Sequence, residues 1–405
     1  MKDPRRLLVL IAAVGLAGGF SAGCGGGSSS STPANTNTIT NSGSNVASIS
    51  VNGGPLGNYD DASFTSVTVC LPGTTTCQTI DGILVDTGSS GLRILSSVLT
   101  LSLPQQKAAN GNPVAECLPF VSGYTWGPVQ TADMEIASEK ASSLPIQVLS
   151  DTDFIAPASC TSSGISSDTL ESLGANGILG VGLFAQDCGS YCEQVQTALG
   201  DFNPYYECAS ATATCQAVGE SLTQQVQNPV ALFSTDNTGV ILEFPAVSGG
   251  EQASLSGSLV FGIGTESNNA LGAATTYTAN AAGNFSTTYN GTVDAASFID
   301  SGSNGYFFPS TVTVCPSNSD AQDFYCPSST ENLSATTQGA NGVTGTVNFS
   351  IANAEALFSV DDNAYGDLGG TFSSGSFDWG LPFFFGRNVY VGLQSTTNPN
   401  GYWAY

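Results

Sequence analysis

The sequence predicts an all-β protein built from two related lobes, and three observations support this prediction. Short β-branched and aromatic runs, such as residues 64–69, recur between clusters of Gly, Asn and Ser, a pattern typical of strands and tight turns. An Asp-hydroxyl-Gly turn at residues 86–90 is repeated at residues 300–304, each time after an apolar run. The chain has 405 residues, which is enough for each copy to have its own hydrophobic core.

Each aspartate turn is followed, at a similar separation, by an apolar strand that ends in glycine. The two glycines are Gly180 and Gly380. Glycine at such a position allows another backbone to pass closely beside the strand. We interpret the repeat as a duplication of one lobe. It divides the chain into an N-terminal lobe, residues 46–268, and a C-terminal lobe, residues 269–405.

The absence of histidine restricts the chemistry that the chain can perform. It excludes Ser–His and Cys–His nucleophile pairs and the zinc-binding helix that carries two histidines. Neither glycine-rich phosphate-binding pattern occurs between a strand and a helix. Acid–base chemistry by two carboxyl groups, Asp86 and Asp300, is what remains. This chemistry requires no metal ion and no cofactor, and none is expected.

Residues 1–23 have the pattern of an export signal, with basic residues before an apolar stretch that is too short to span a bilayer comfortably. Cys24 follows in a context that resembles a bacterial lipoprotein cleavage site. We expect Cys24 to carry lipid and residues 24–45, rich in Gly, Ser, Thr and Asn, to be a flexible tether. An ordinary secretory signal followed by a cysteine is the alternative. The expected location is the bacterial cell envelope, at the outer membrane or its periplasmic face.

The remaining ten of the eleven cysteines are an even number, which fits five disulfide bonds in an exported protein. We expect the first two and the last two to close short loops. The four between positions 188 and 215 are expected to pair among themselves, which leaves the third with the fourth, although sequence alone does not fix the pairing. In chain order the candidates are Cys70, Cys77, Cys117, Cys160, Cys188, Cys192, Cys208, Cys215, Cys315 and Cys326.

The formal net charge is −25 at pH 7. Beyond the export signal the basic residues are Arg93, Lys107, Lys140 and Arg387. So acidic a chain excludes nucleic acid as a partner. We interpret the acidic exterior as a means of keeping an exported protein soluble, with acid tolerance as a second interpretation, and we expect a monomer.

The order of these motifs resembles that of the pepsin-like aspartic proteases. Residues 86–92 and 300–303 are similar to that family's two active-site motifs. Residues 177–180 and 380–384 resemble the strands that cross behind them, and residues 257–264 resemble the strand at the lobe junction. With its lipoprotein-like start, the chain looks like a bacterial pepsin-like lipoprotein. The resemblance implies two β-barrel-like lobes with a cleft between them.

The resemblance also implies roles for the residues of both turns. Asp86 and Asp300 would form a catalytic pair, and Thr87 and Ser301 would bond across to the opposite lobe. The supporting residues would be Thr87, Gly88, Ser89, Ser301, Gly302 and Ser303. A β-hairpin flap is expected within residues 119–136. The candidates for its substrate-facing residue are Tyr124, which we favour, Trp126 and Phe120.

Two residues depart from the family pattern. Arg93 stands where the family has a tryptophan that bonds to the flap, and a cation there could lower the pKa of a carboxyl group. Asp378 interrupts the apolar pair before Gly380. The acidic run 361–367 lacks the glutamate of a calcium-binding loop, and we interpret it as a turn.

These observations predict an exported, lipid-anchored aspartic endopeptidase whose partner is a polypeptide substrate. The first alternative is a catalytically inactive surface lipoprotein that binds peptide or glycan in the cleft. A second is glycoside hydrolysis by the two carboxyl groups, but the duplicated turns favour peptidase geometry.

Overall fold

A computed structural model describes residues 37–121, 123–149, 154–197, 202–210 and 213–405. The predicted signal peptide, Cys24 and the first part of the predicted tether lie outside these residues. The last part of that tether, residues 37–45, contacts the protein. The side chain of Asn37 donates to the carbonyl of Phe244 at 2.8 Å, and the N–H of Thr40 donates to the carboxylate of Glu243 at 2.6 Å.

Strands dominate the described part of the chain. The strands of the first half are β1 Val46–Val51, β2 Ser63–Cys70, β3 Cys77–Asp86, β4 Ser90–Leu95, β5 Val114–Phe120, β6 Gly123–Ile136, β7 Glu139–Leu149, β8 Ile165–Ser166, β9 Gly177–Val181, β10 Tyr205–Glu207 and β11 Gln216–Ala217. Those of the middle are β12 Gly239–Glu243, β13 Glu251–Gln252 and β14 Leu255–Phe261.

The second half continues in the same way. Its strands are β15 Thr276–Thr278, β16 Phe285–Tyr289, β17 Thr292–Ile299, β18 Tyr306–Phe307, β19 Glu331–Gln338, β20 Thr344–Ile351, β21 Ala364–Tyr365, β22 Gly369–Gly370, β23 Asp378–Trp379, β24 Asn388–Gly392 and β25 Tyr402–Ala404. The α-helices are α1 Ala158–Thr161, α2 Leu170–Leu173 and α3 Ala354–Leu357, and the 3-10 turns are Gly189–Glu193, Pro229–Leu232 and Leu381–Phe384. No helix of the described ranges is long and apolar enough to cross a membrane.

The strands form two large sheets. The first has the order β11-β10-β5-β6-β7-β4-β9-β3-β2-β1-β14-β12-β24-β25-β15, with β8 beside β6, and the second has the order β20-β19-β16-β17-β23-β18-β22. Strands β13 and β21 form a separate pair. Because β24 of the C-terminal lobe pairs with β12 of the N-terminal lobe, and β25 pairs in turn with β24, the sheet at the junction draws strands from both lobes. The fold is therefore the all-β, bilobal, pepsin-like architecture that the sequence predicts.

Hydrophobic patterning explains why these segments are strands. In β20, Val347, Phe349 and Ile351 point into the core while the residues between them are less buried, as the two-residue period of a strand requires. In β9 every residue is buried, because both faces are covered: Ile178 packs in one core cluster and Leu179 in another. A strand enclosed in this way is apolar throughout rather than alternating.

Five disulfide bonds link the ten cysteines, and the pairing follows the sequence prediction. The bonds are Cys70–Cys77, Cys117–Cys160, Cys188–Cys192, Cys208–Cys215 and Cys315–Cys326. The bond with the longest loop, 43 residues, ties β5 to α1. Such a loop constrains the unfolded chain most, and the bond also fixes β5 against the segment that covers it.

Candidate active site

The two aspartates occupy equivalent positions at the ends of buried strands. Asp86 is the last residue of β3, and β9 runs parallel beside it with Gly180 in register. Asp300 directly follows β17, and its N–H donates to the carbonyl of Trp379 in the parallel strand β23 at 3.0 Å. The duplicated sequence pattern therefore corresponds to duplicated local structure.

Four hydrogen bonds join the two turns across the junction of the lobes. The hydroxyl of Thr87 donates to the carbonyl of Ile299 at 3.1 Å and accepts the N–H of Ser301 at 2.9 Å. The hydroxyl of Ser301 donates to the carbonyl of Val85 at 2.7 Å and accepts the N–H of Thr87 at 3.1 Å. These are the cross-lobe bonds expected for Thr87 and Ser301, and they fix one turn against the other.

Each carboxyl group is also held by its own turn. Oδ1 of Asp86 accepts the N–H of Gly88 at 2.8 Å, and its Oδ2 accepts the hydroxyl of Ser89. In the second turn, Oδ1 of Asp300 accepts the N–H of Gly302 at 2.7 Å. Its Oδ2 accepts the hydroxyl of Ser303 at 3.0 Å. The matched donors orient both carboxyl groups before any ligand is present.

The two carboxyl groups meet because glycine follows each hydroxyl residue. A Cβ atom at Gly88 would lie 2.6 Å from Cγ of Asp300, and one at Gly302 would lie 2.8 Å from Oδ1 of Asp86. Only a residue without a side chain fits either position. Both aspartates are buried, with exposed fractions of 2% for Asp86 and 0% for Asp300.

Burial is the main reason why the pKa of Asp300 is well above its ordinary value. The negative charge of Asp86, then that of Asp378, and a hydrogen bond to Asp86 raise this pKa further, while the Gly302 N–H lowers it. Two carboxyl groups in contact cannot both ionise at low cost. The ionisation of Asp300 is therefore coupled to the charge of Asp86.

A cleft of about 340 Å³ lies beside the aspartate turns. Thr87 and Gly88 line it from the first turn, and Phe298 and Phe372 line it from the C-terminal half. Val121, at the turn of the β5–β6 hairpin, also lines the cleft. This hairpin lies within the residues in which the flap is expected, and we call it the flap hairpin.

The structure does not bring Tyr124, Trp126 or Phe120 to the cleft. Tyr124 and Trp126 belong to a core cluster that includes the half-cystines of β5 and α1, and Trp126 packs edge-on against Tyr206 at 5.6 Å. Phe120 belongs to a different core cluster. The aromatic face of β6 is buried because α1 packs on it and because the indole N–H of Trp126 donates to the carbonyl of Phe154 at 3.0 Å. Val121 is the described hairpin residue at the cleft.

Arg93 is completely buried in a polar network that sequence reasoning identified only in part. Its guanidinium donates to Glu116 at 3.0 Å, to Asp187 at 3.1 Å and to the carbonyl of Ser90 at 2.9 Å. Asp187 also accepts the hydroxyl of Tyr205 at 2.6 Å. Glu116 lies in the flap strand β5, so Arg93 connects the flap to β4. Burial, followed by the charge of Glu116, raises the pKa of Asp187 well above its ordinary value.

Asp378 lies next to the aspartate pair. It is in β23, in register with Phe298 of β17, and has no exposed surface. Burial raises its pKa well above the ordinary value, the hydroxyl of Ser303 lowers it, and the charge of Asp86 raises it. In the sequence, the only sign of this residue is that it interrupts the apolar pair before Gly380.

Within the described residues, no group of three or more Cys, Asp or Glu side chains has the geometry of a metal site. What the arrangement can do chemically is move protons: one carboxyl can accept a proton from a water molecule while its partner donates one. The fold and this site define a bilobal all-β protein with a paired-aspartate centre beside a cleft.

Comparison with known proteins places the chain in a family. Residues 41–405 match the family described as "Protein of unknown function (DUF3443)", and the chain belongs to that family. No curated protein matches it. Among solved structures, the aspartic proteinase from Irpex lacteus is similar with a TM-score of 0.48 and 16% sequence identity, over 89% of this chain and 96% of that chain.

Proposed function

We propose that this protein is an aspartic endopeptidase that hydrolyses peptide bonds with a water molecule activated by Asp86 and Asp300. The observation that carries the proposal is the contact of the two carboxyl groups, each at the end of a matched turn beside one cleft. The export pattern of residues 1–23 and Cys24 supports a lipid-anchored location in the cell envelope. The five disulfide bonds fit an oxidising compartment.

In the proposed mechanism Asp86 and Asp300 share one proton, because two carboxyl groups in contact cannot both ionise at low cost. The ionised carboxyl accepts a proton from a water molecule, whose oxygen attacks the carbonyl carbon of the substrate. The protonated carboxyl donates its proton to the carbonyl oxygen. In the second step the roles reverse, and the nitrogen of the leaving amine receives a proton. The N–H groups of Gly88 and Gly302 each hold one oxygen of their own carboxyl group, Oδ1, throughout, so the carboxyl groups do not rotate between steps.

The lining of the cleft supports a polypeptide substrate with apolar side chains. Phe184, Phe298 and Phe372 contribute aromatic surface to the cleft, and removal of apolar area from water favours the binding of an apolar side chain there. Contact between the carboxyl groups argues against glycoside hydrolysis, because that reaction uses carboxyl groups at least about 5 Å apart.

The test is cleavage of an unstructured polypeptide by the purified protein from about pH 3 to pH 7. Asp86→Asn and Asp300→Asn should each reduce kcat/KM at least about 100-fold, because either change removes the shared proton. Asp81→Asn, an exposed aspartate of the same strand as Asp86, is the matched control and should retain activity. Cleavage that survives both active-site substitutions would exclude the proposal.

Binding of a peptide or glycan without hydrolysis is the second candidate. It is favoured by Trp403, which lines the cleft and whose buried indole N–H has no hydrogen-bond partner among the described residues. A ligand carbonyl or hydroxyl could accept that N–H. This candidate predicts that the wild type binds peptide calorimetrically without cleaving it at any pH, and that Trp403→Phe weakens binding.

A further inference from the structure

A third carboxyl group, that of Asp378, lies within the electrostatic reach of the aspartate pair. The short strand β23 that carries it runs parallel to β17, which leads into Asp300. The two strands are joined next to the site, where the N–H of Asp300 donates to the carbonyl of Trp379. Asp378 is therefore placed by the same strand pairing that places Asp300.

No cation of the described residues pairs with Asp378. Its exposed fraction is 0%, and neither of its carboxyl oxygens has a hydrogen-bond partner of normal geometry. The ion pairs of the described residues involve Arg93 and Lys140, not Asp378. A buried, unpaired carboxylate costs several kcal/mol. Asp378 therefore holds its proton more strongly than an exposed aspartate does and ionises only at higher pH.

The groups that face Asp378 are few. The positions paired with it are Phe298 in β17 and Phe307 in β18, neither of which titrates. Two titratable groups interact with it: the charge of Asp86 raises the pKa of Asp378, and the charge of Asp378 raises the pKa of Asp300. The hydroxyl of Ser303 links Asp300 to Asp378, because it donates to Asp300 at 3.0 Å and also lowers the pKa of Asp378.

We propose that Asp378 is a positioning residue that forms a three-carboxyl unit with Asp86 and Asp300. Its charge extends to higher pH the range in which Asp86 and Asp300 hold their shared proton. The proposal rests on the proposed function in that it assigns a role within the same site. Ionisation of Asp378 would place a further negative charge beside Asp300, and the pair would then bind its proton more tightly. An apolar residue at this position would remove that effect.

The first test measures the coupling without any enzyme assay. Free energies of unfolding would be measured at pH 4 and pH 7 for the wild type, Asp300→Asn, Asp378→Asn and the double variant. We expect an interaction energy that is larger at pH 7 than at pH 4. Asp294→Asn is the matched control, because Asp294 is a buried aspartate of the same strand β17 whose pKa is also raised by burial. Asp294 and Asp300 should show no interaction. Additive effects of Asp300→Asn and Asp378→Asn at both pH values would overturn the proposal.

The second test is the pH profile of cleavage. Asp378→Asn and Asp378→Leu should both move the alkaline limb of kcat/KM by about one pH unit toward acid. If only the leucine variant shifts, packing rather than charge is responsible and the proposal fails. If the wild type cleaves nothing while the unfolding cycle shows the coupling, the proposed function fails and the three-carboxyl unit stands.

Discussion

Two groups of buried carboxyls lie beside the same cleft, and they differ in whether a cation lies between them. Glu116 and Asp187 surround the guanidinium of Arg93, with both ion pairs fully buried. Asp86, Asp300 and Asp378 form no ion pair among the described residues. The charge of Arg93 lowers the pKa of Asp187 and so opposes the effect of burial, whereas no cation opposes that effect on Asp300 and Asp378. The first group is suited to hold structure, and the second to transfer protons.

The position of each group fits that division. Arg93 joins the flap strand β5 to β4 and to the segment that carries Asp187, so its ion pairs fix the flap relative to the cleft. The aspartate pair lies where the two lobes meet, and its oxygens receive matched N–H and hydroxyl donors from both turns. The charges around Arg93 therefore position the flap, whereas the aspartate pair could react.

The pH dependence of stability should show the largest effect. Burial raises the pKa of Asp300 and Asp378 well above the ordinary value, that of Asp367 to about 6 and that of Glu220 to about 7. These groups stay protonated in the folded protein while the unfolded chain ionises near pH 4, so stability is fully present below about pH 4 and falls as pH rises toward 7. Since each pKa unit corresponds to about 1.4 kcal/mol, the total loss should be several kcal/mol.

Urea unfolding at pH values from 4 to 7 would measure this dependence. Asp378→Asn should be close to the wild type in stability near pH 4 and more stable than it at pH 7, because the variant lacks one of the groups whose ionisation opposes folding. A free energy of unfolding that rises with pH over this range would show that the cation-free group does not retain its protons.

Removal of the cation should be the next largest effect. Arg93→Met leaves Glu116 and Asp187 buried without a counter-charge, and we expect it to lower the free energy of unfolding at pH 7 by about 3–5 kcal/mol. The loss should be smaller at pH 4, where the unpaired carboxyls can bind protons. Urea unfolding at both pH values checks this.

Two control variants sharpen the Arg93 experiment. Lys107→Met removes an exposed cation and should change stability by less than about 0.5 kcal/mol. Glu116→Gln keeps an acceptor for Arg93 and leaves Asp187 as its ionic partner, so its cost should be about 1 kcal/mol or less. Equal losses for Arg93→Met and Glu116→Gln would mean that the charge of Arg93 is not what stabilises the network.

The cross-lobe hydrogen bonds should give the smallest of these effects. Thr87→Val preserves shape but removes the donor to Ile299 and the acceptor of the Ser301 N–H. We expect a loss of about 2 kcal/mol in the free energy of unfolding, because two buried polar groups lose their partner. Thr68→Val, at an exposed hydroxyl pair with Thr79, is the control. A cost equal to that of the control would show that these bonds do not hold the turns together.

Sequence reasoning reached the features that local pattern determines. The aspartate turns could be predicted from the repeated motif, and the disulfide pairing from short spacings and the one pair that these left over. The cross-lobe bonds of Thr87 and Ser301 were predicted from the family resemblance. The partners of Arg93 could not be predicted, since Glu116 and Asp187 are distant from it in sequence. The cleft-facing flap residue also could not be found, because the packing of α1 determines which face of β6 is covered. Asp378 was visible only as an interruption of an apolar pair, and its burial required the fold.

The most direct test of the central claim, that Asp86 and Asp300 share a proton, is the titration of Asp300 by NMR. The protein would be labelled with ¹³C at the aspartate carboxyl carbons, and the Asp300 signal would be assigned by its loss in Asp300→Asn. We predict that Asp300 still carries its proton well above the pH at which an ordinary aspartate ionises, about 4, and that its midpoint falls in Asp86→Asn. An Asp300 midpoint near 4 that is unchanged by Asp86→Asn would contradict the shared proton.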